Sequence, residues 1–302
     1  MKKLNYETAI RGDFEGINHQ YGSIKDGWIH WKNYLDDRKM KYPIEEFHND
    51  INNIISKFRE DGYIVLKDFF NKDDLIDLKN EFDTFAKNGL KQNVLPGSSY
   101  GKEDEIKNNS LWYSVNQPFL EMENVFKIAS RDDIISIAAH YFKCIPACTG
   151  LNFRRSYVND VPGDHTNLFH QDGNSPDFFK MFIYLNDVDE NGGPFCIVKG
   201  SHINKFDGCY DKYRWNTEEI TSIYGEENIK LINANFGDLV LGIPVGFHRG
   251  IKPISKERTM LTLDWGIHSS YFKPSWGTKM KQSDYDSLED WKKPITDYLI
   301  KE

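Results

Sequence analysis

The sequence predicts a mostly β protein with flanking helices: an antiparallel sandwich or barrel behind an N-terminal helical layer. Three observations predict this. Apolar residues recur at helical spacing through much of the first half of the chain. From about Ala147 they fall instead in short β-rich runs separated by turn clusters. No repeat and no linker composition separates the two textures, so helices followed by many short strands read as layers of one domain. The expected divisions are an N-terminal arm and helical layer over 1–145, a β core over 146–270 and a C-terminal extension over 271–302.

Composition narrows the function classes. Of 302 residues, 39% are hydrophobic and 14% aromatic, enough for a packed core and too many for wholesale disorder. Lysine and arginine number 38 against 46 acids, a net charge of −8, which argues against a nucleic-acid partner. The run Met1-Lys2-Lys3-Leu4-Asn5-Tyr6-Glu7 lacks the apolar stretch of a signal peptide. No stretch is apolar for long enough to cross a bilayer. Cys144, Cys148, Cys196 and Cys209 do not make a disulfide framework in a chain of this length. Cys144 and Cys148 are helix-spaced but have no second Cys or His pair near them, so they read as half-buried thiols. A soluble, cytoplasmic protein is expected; the sequence leaves its oligomeric state open.

Taken in order, residues 5–41 mix aromatics (Tyr6, Tyr21, Trp28, Trp31, Tyr34) with polar residues at poor periodicity and read as an irregular arm. Ile44, Phe47, Ile51, Ile54, Ile55 and Phe58 then mark a helix that Asp61-Gly62 ends. Tyr63 to Leu66 reads as a strand. A second helix carries Leu75, Leu78, Phe82, Phe85 and Ala86 on one side, with Gly89 past its end. Residues 92–117 read as a long loop and, by their length inside a domain, as a lid. Helices are expected over 119–129 and 132–142. Strands are expected over 150–158, 178–185, 195–198, 229–232, 239–243 and 258–265.

His170 and Asp172, two apart on an extended backbone, project from one face. An imidazole and a carboxylate together suit a divalent metal such as Fe(II). Alone, such a pair is common on surfaces and in turns. His248, after the strand-like Asp238-Leu239-Val240-Leu241, is the candidate third ligand, leaving three octahedral positions open. Arg258 opens the next strand and shares a face with Thr262, opposite Leu261 and Leu263. There it can clamp a carboxylate, although a surface arginine beside Lys256 and Glu257 fits the same pattern.

With these residues in place the chain resembles the phytanoyl-CoA dioxygenase family. The similarity runs from about Phe58 to Trp265. It includes the run Phe58 to Leu66, His170-Gln171-Asp172, Lys180 to Val188, Asn191-Gly192-Gly193-Pro194-Phe195, Gly200-Ser201-His202, Gly237-Asp238, His248 and Arg258. The resemblance implies a double-stranded β-helix, a cupin-like jelly roll. It implies Fe(II) held by His170, Asp172 and His248, with Arg258 on the distal carboxylate of the cosubstrate 2-oxoglutarate. O2 is then the second cosubstrate, and ascorbate serves as reductant in vitro. Met260 stands where some related oxygenases carry a hydroxyl residue, so Tyr184 or Thr262 is expected to share that carboxylate. Related halogenases replace the carboxylate ligand by a small residue. Asp172 therefore favours hydroxylation of a small molecule, or desaturation or cyclisation, over halogenation.

Other polar residues are candidates for the same pocket. By strand parity Arg154 and Asn152 share one face and Arg155 takes the other. An inward Arg154 suits an anionic substrate group, and an edge-strand cation that discourages aggregation is the alternative. Lys180 shares a face with Phe182 and Tyr184 and is a further substrate candidate; Tyr184 fits a core tyrosine equally well. His165 reads as a loop residue near the pocket mouth and His202 as a turn residue. His19, His30, His48, His140 and His268 lack partner spacing. Readings without an oxygenase remain: a metal-binding or ligand-binding jelly roll with no catalysis, or a cupin-like isomerase or zinc enzyme that keeps the metal but makes no use of Arg258.

Overall fold

The computed structural model describes residues 3–4, 24–44, 49–88, 103, 107–108, 110–115, 117–163, 167–173, 175–267 and 278–302. Its centre is a six-stranded antiparallel sheet in the order β2 (Tyr63–Leu66), β9 (Leu239–Gly242), β5 (Phe179–Tyr184), β11 (Arg258–Gly266), β4 (Ala147–Ser156) and β3 (Trp112–Val115). A second sheet of three strands, β10 (His248–Gly250), β6 (Phe195–Val198) and β8 (Ile229–Ile232), is also antiparallel. Two short strands, β1 (Lys3–Leu4) and β7 (Lys205–Phe206), pair antiparallel, and neither larger sheet closes into a barrel.

Period-two alternation decides which layer each side chain joins. On one face of the large sheet Phe153, Met181, Ile183, Leu239, Leu241, Leu261, Leu263 and Trp265 join a single buried cluster. The helices supply its other half: Asn49–Asp61 through Phe58, Lys72–Asn88 through Leu75, Leu78 and Phe82, and Asp132–Phe142 through Ile134, Ile135 and Ala138. On the opposite face Phe182, Tyr184, Val240 and Met260 meet Phe195, Ile197 and Ile232 of the small sheet. A third cluster, with Phe169, Val198, Phe206 and Phe247, backs the small sheet against the helix Thr217–Tyr224.

Most expected elements are present. Three differ. Ile24–Lys41 is an 18-residue helix rather than an irregular arm. Its signal is tertiary: Arg38 is buried, donating to the carbonyls of Ile145 (2.7 Å) and Pro294 (2.8 Å) and pairing with Asp297 at 2.9 Å. The expected helix over 119–129 is two short ones, Pro118–Glu121 and Glu123–Ala129, broken at Met122, whose backbone is extended. The expected loop over 92–117 includes edge strand β3, paired with β4; the rest of the lid expectation rests on residues largely outside those described. The cysteines are free and fully buried, so Cys144 and Cys148 are core residues, not half-exposed thiols.

Short polar devices hold the sheet ends near the site. Asn186 accepts from Thr259 N (2.8 Å) and donates to Glu257 O (3.0 Å), tying the end of β5 to the start of β11. Asp238 is buried before β9 and accepts from Lys67 (2.7 Å), Asp68 N (3.0 Å) and Asn235 N (2.8 Å). These account for two motifs whose residues carry no chemistry of their own.

Phe58 is wholly buried, with ring centroids 5.5 Å from Tyr141 and 5.4 Å from Phe179, where a helix meets the large sheet. Phe58→Ala is expected to cost about 3–5 kcal/mol, mostly through the cavity it leaves. A urea unfolding curve with an unshifted midpoint would contradict this packing.

Candidate metal centre

His170 and His248 are joined through their backbones. His170 N donates to His248 O and His248 N to His170 O, both at 2.9 Å, an antiparallel bridge between distant segments. Asp172 N adds a bond to Pro244 O at 2.8 Å. This stitching brings the imidazole centroids to 4.3 Å, with the rings tilted by 48°, and turns Asp172 toward both. His170 Nε2 lies 3.7 Å from Asp172 Oδ1 and His248 Nε2 lies 3.7 Å from Asp172 Oδ2. One donor atom from each of the three lies within 4.8 Å of the others, the sole such group among the described residues.

The far side of each ring fixes its tautomer. His170 Nδ1 is 2.9 Å from Leu168 O and His248 Nδ1 is 3.1 Å from Gly246 O. A carbonyl only accepts, so each Nδ1 carries the proton and each Nε2 lone pair points at the centre. Burial pushes both imidazoles below their ordinary 6.5, His248 to about 3, so both are neutral at physiological pH. Burial works against the Asp172 carboxylate, but Lys180 and the two histidines hold it well below the usual carboxylate range. Two neutral nitrogens and an anionic oxygen converge, a donor set that fits a divalent ion with mixed N/O preference.

Lys180 is not an open substrate residue. Its ammonium donates to Asp172 Oδ2 at 2.9 Å and lies 3.8 Å from Asp264 Oδ2, opposite which it pairs in the β5–β11 register. Asp264 was missed in the sequence, although parity along Arg258, Thr262 and Asp264 puts all three on one face.

Arg258 is buried, 5% exposed, on the inner face of β11. It donates through Nη1 to Gly193 O and through Nη2 to Ser156 Oγ at 3.3 Å. Gly193 is a glycine for a reason: its φ is +72°, and a Cβ would lie 2.4 Å from Ile251 O. The guanidinium edges a small, half-open pocket with Trp112, Arg154, Ser156, Asn167 and Lys252. Tyr184 is fully buried beside it, its hydroxyl accepting from Phe195 N at 3.3 Å; burial raises the phenol while Arg258 opposes that. Thr262 is buried two register steps beyond Met260's neighbour Arg258, in register with exposed Asn152.

Arg154 and Arg155 do face opposite ways. Arg154 stands 5.6 Å from the centroid of Trp112 and lines the cavity. Arg155 turns to the helices, pairing with Asp83 and, at 2.9 Å, with Glu103. His202 is buried and bonds Arg59 O at 2.8 Å through Nε2, so it ties a turn to a helix end. His140 is likewise internal, bonded to Ser136 O. His19, His48, His165 and His268 lie outside the described residues.

Burial lowers His202 from 6.5 to about 4 and His248 to about 3. Between pH 6.5 and 4 the unfolded chain therefore binds protons that the folded chain refuses, so stability falls as pH falls. For His202 the full loss is on the order of 3 kcal/mol. Unfolding free energies measured from pH 7 to 4 should decline, with a shallower slope in His202→Asn.

The family model for phytanoyl-CoA dioxygenase matches residues 58–251. No curated protein matches the chain. Among solved structures it is similar to the non-heme alpha ketoglutarate dependent epimerase SnoN from nogalamycin biosynthesis, with a TM-score of 0.52 at 13% identity, covering 72% of this chain and 83% of that one. It is similar to EctD from S. alaskensis, solved with 2-oxoglutarate and 5-hydroxyectoine, with a TM-score of 0.50 at 13% identity over 74% and 82%. AviO1 from Streptomyces viridochromogenes Tue57 gives a TM-score of 0.50 at 16% identity over 73% and 96%. These likenesses establish the fold. With the family model spanning most of the chain and the triad assembled inside that span, the chain belongs to the phytanoyl-CoA dioxygenase family of iron- and 2-oxoglutarate-dependent oxygenases.

Proposed function

We propose that this chain is a 2-oxoglutarate-dependent dioxygenase that hydroxylates a small molecule, with His170, Asp172 and His248 as the iron ligands and Arg258 as the cosubstrate anchor. The observation that carries the reading is the pair of Nε2 lone pairs and the Asp172 carboxylate converging on one point, with Arg258 buried on the sheet face that Lys180 and Asp264 extend toward that point. Iron(II), when bound, supplies the redox chemistry that couples decarboxylation of 2-oxoglutarate to oxidation of a C–H bond. One oxygen atom of O2 ends in succinate and the other in the new hydroxyl group, with CO2 leaving.

The chain's own residues bind, orient and exclude water. The carbonyls of Leu168 and Gly246 hold the imidazoles in the one tautomer that can ligate. Lys180 holds one oxygen of Asp172. Arg258 offers the cosubstrate's distal carboxylate a forked partner, with Tyr184 beside it and Thr262 farther along the same strand face. Phe195 stands 5.7 Å from the His248 ring and 4.6 Å from Phe182, an apolar wall that keeps water from one side. Arg154 and Asn152 belong to the substrate side, where Arg154 suits an anionic group. The retained carboxylate at Asp172 favours hydroxylation, and the net charge of −8 favours a small molecule over nucleic acid.

The test is turnover. Protein with Fe(II), ascorbate and 2-oxoglutarate should release succinate slowly without substrate and faster when a metabolite extract contains the substrate, whose product gains one oxygen atom. His170→Ala, Asp172→Ala and His248→Ala should each abolish succinate formation. Arg258→Ala should keep most of the maximal rate but raise the 2-oxoglutarate requirement roughly tenfold to a hundredfold, the equivalent of about 1.5–3 kcal/mol for a charged hydrogen bond. Succinate formation that survives any ligand substitution would defeat the reading.

A further inference from the structure

Gln171 lies between the two ligands of the first segment, and no chemistry has yet been given to it. Its side chain is held at both ends. The amide nitrogen donates to Cys209 O at 2.9 Å, and the amide oxygen accepts from Lys205 Nζ. The same ammonium donates to Val245 O, three residues before His248. Lys205 is 4% exposed, in the two-residue strand β7 (Lys205–Phe206). The rings of Tyr210 and Phe247 stand 5.6 and 5.7 Å from its nitrogen. Its acceptors are neutral oxygens, and no carboxylate among the described residues forms an ion pair with it.

A buried ammonium on neutral acceptors is costly to desolvate, and a Leu or Met would fill the space more cheaply. What a lysine does there that an apolar residue does not is bond two segments from one point. Those segments are the ones that carry the ligands. The wall behind them is close-packed as well: Ser201 Oγ accepts from Phe247 N and donates to Val198 O, both at 2.8 Å. A Cβ on Gly246 would lie 2.9 Å from Ser201 Oγ and 3.1 Å from His202 N, so the chain entering His248 is pressed against the 201–205 turn.

We infer that Lys205 is a positioning residue for the metal centre: through Gln171 Oε1 and the Val245 carbonyl it clamps the His170–Asp172 segment to the chain entering His248. The inference rests on the metal assignment proposed above, not on the hydroxylation reading. Lys205 touches no ligand and no reacting atom. Its effect is transmitted by holding the three donor atoms in register before the ion arrives.

The experiment is metal binding without turnover. Co(II) is titrated into the metal-free protein and followed by its visible absorption, alongside thermal unfolding of the same metal-free samples. Lys205→Met keeps the volume and removes the donors. Its Co(II) dissociation constant should rise about tenfold, the lower end of the loss seen when a group bonded directly to a ligand is removed, because Lys205 acts one connection farther out. Gln171→Leu breaks the clamp from the other end and should show a similar rise. The double variant should lose little more than either single one, because both act on one connection. Unchanged or tighter Co(II) binding in a folded Lys205→Met protein overturns the inference; tighter binding would mean that repulsion between the ammonium and the ion outweighs the clamp. Additive losses in the double variant overturn it too. If Lys205→Met does not fold, the Gln171→Leu arm decides, since an unchanged constant there removes the connection. Wild-type protein that binds no Co(II) overturns the metal assignment itself, a result distinct from all of these.

Discussion

The two backbone hydrogen bonds between His170 and His248 are the constraint on which the rest of the structure depends. Metal sites of this kind ask for donor atoms placed to a few tenths of an ångström, a tolerance that long flexible loops cannot meet. Here the tolerance is met by strand geometry: directly opposed residues on antiparallel chains hold their side chains at a fixed spacing. The imidazoles are neighbours because the backbones are paired, and the carboxylate follows because Asp172 N is bonded to Pro244 O. The apolar layers on either side then serve to keep those strands flat and dry.

The two faces of the large sheet have separate tasks. One is sealed by helices and contributes most of the core. The other carries Arg258, Thr262, Asp264, Lys180 and Tyr184 into an interior only partly filled by the smaller cluster around Phe182 and Phe195. Polar and charged groups survive on that inner face because nearly all find partners: Lys180 with two carboxylates, Arg258 with Gly193 O and Ser156.

Much of this was legible in the sequence because alternation is a local property. The parity of Arg258, Leu261, Thr262 and Leu263 set the two faces of β11, and the parity of Asn152, Arg154 and Arg155 set those of β4. The metal ligands were legible only as candidates, since nothing local says that His248 will lie opposite His170. What escaped was held by tertiary contacts. Ile24–Lys41 forms a helix around a buried arginine whose partners lie more than a hundred residues away. The edge strand β3 sits in a polar stretch and owes its existence to β4. Nothing local in the sequence marks Lys205 as buried; its burial comes from the segments folding over it. Lys180 reads as a substrate candidate in the sequence because only the fold brings Asp172 and Asp264 beside it.

Strand β11 presents Arg258 to the interior with the same backbone that presents Leu261, Leu263 and Trp265 to the helical layer. A rigid ribbon cannot shift one of its faces without shifting the other. Evolutionary drift in the helical layer is therefore not silent for chemistry: a repacked helix that rolls the ribbon by a few degrees swings a long guanidinium through a wide arc. Lineages of such enzymes would be expected to change their helices and their cosubstrate appetite together.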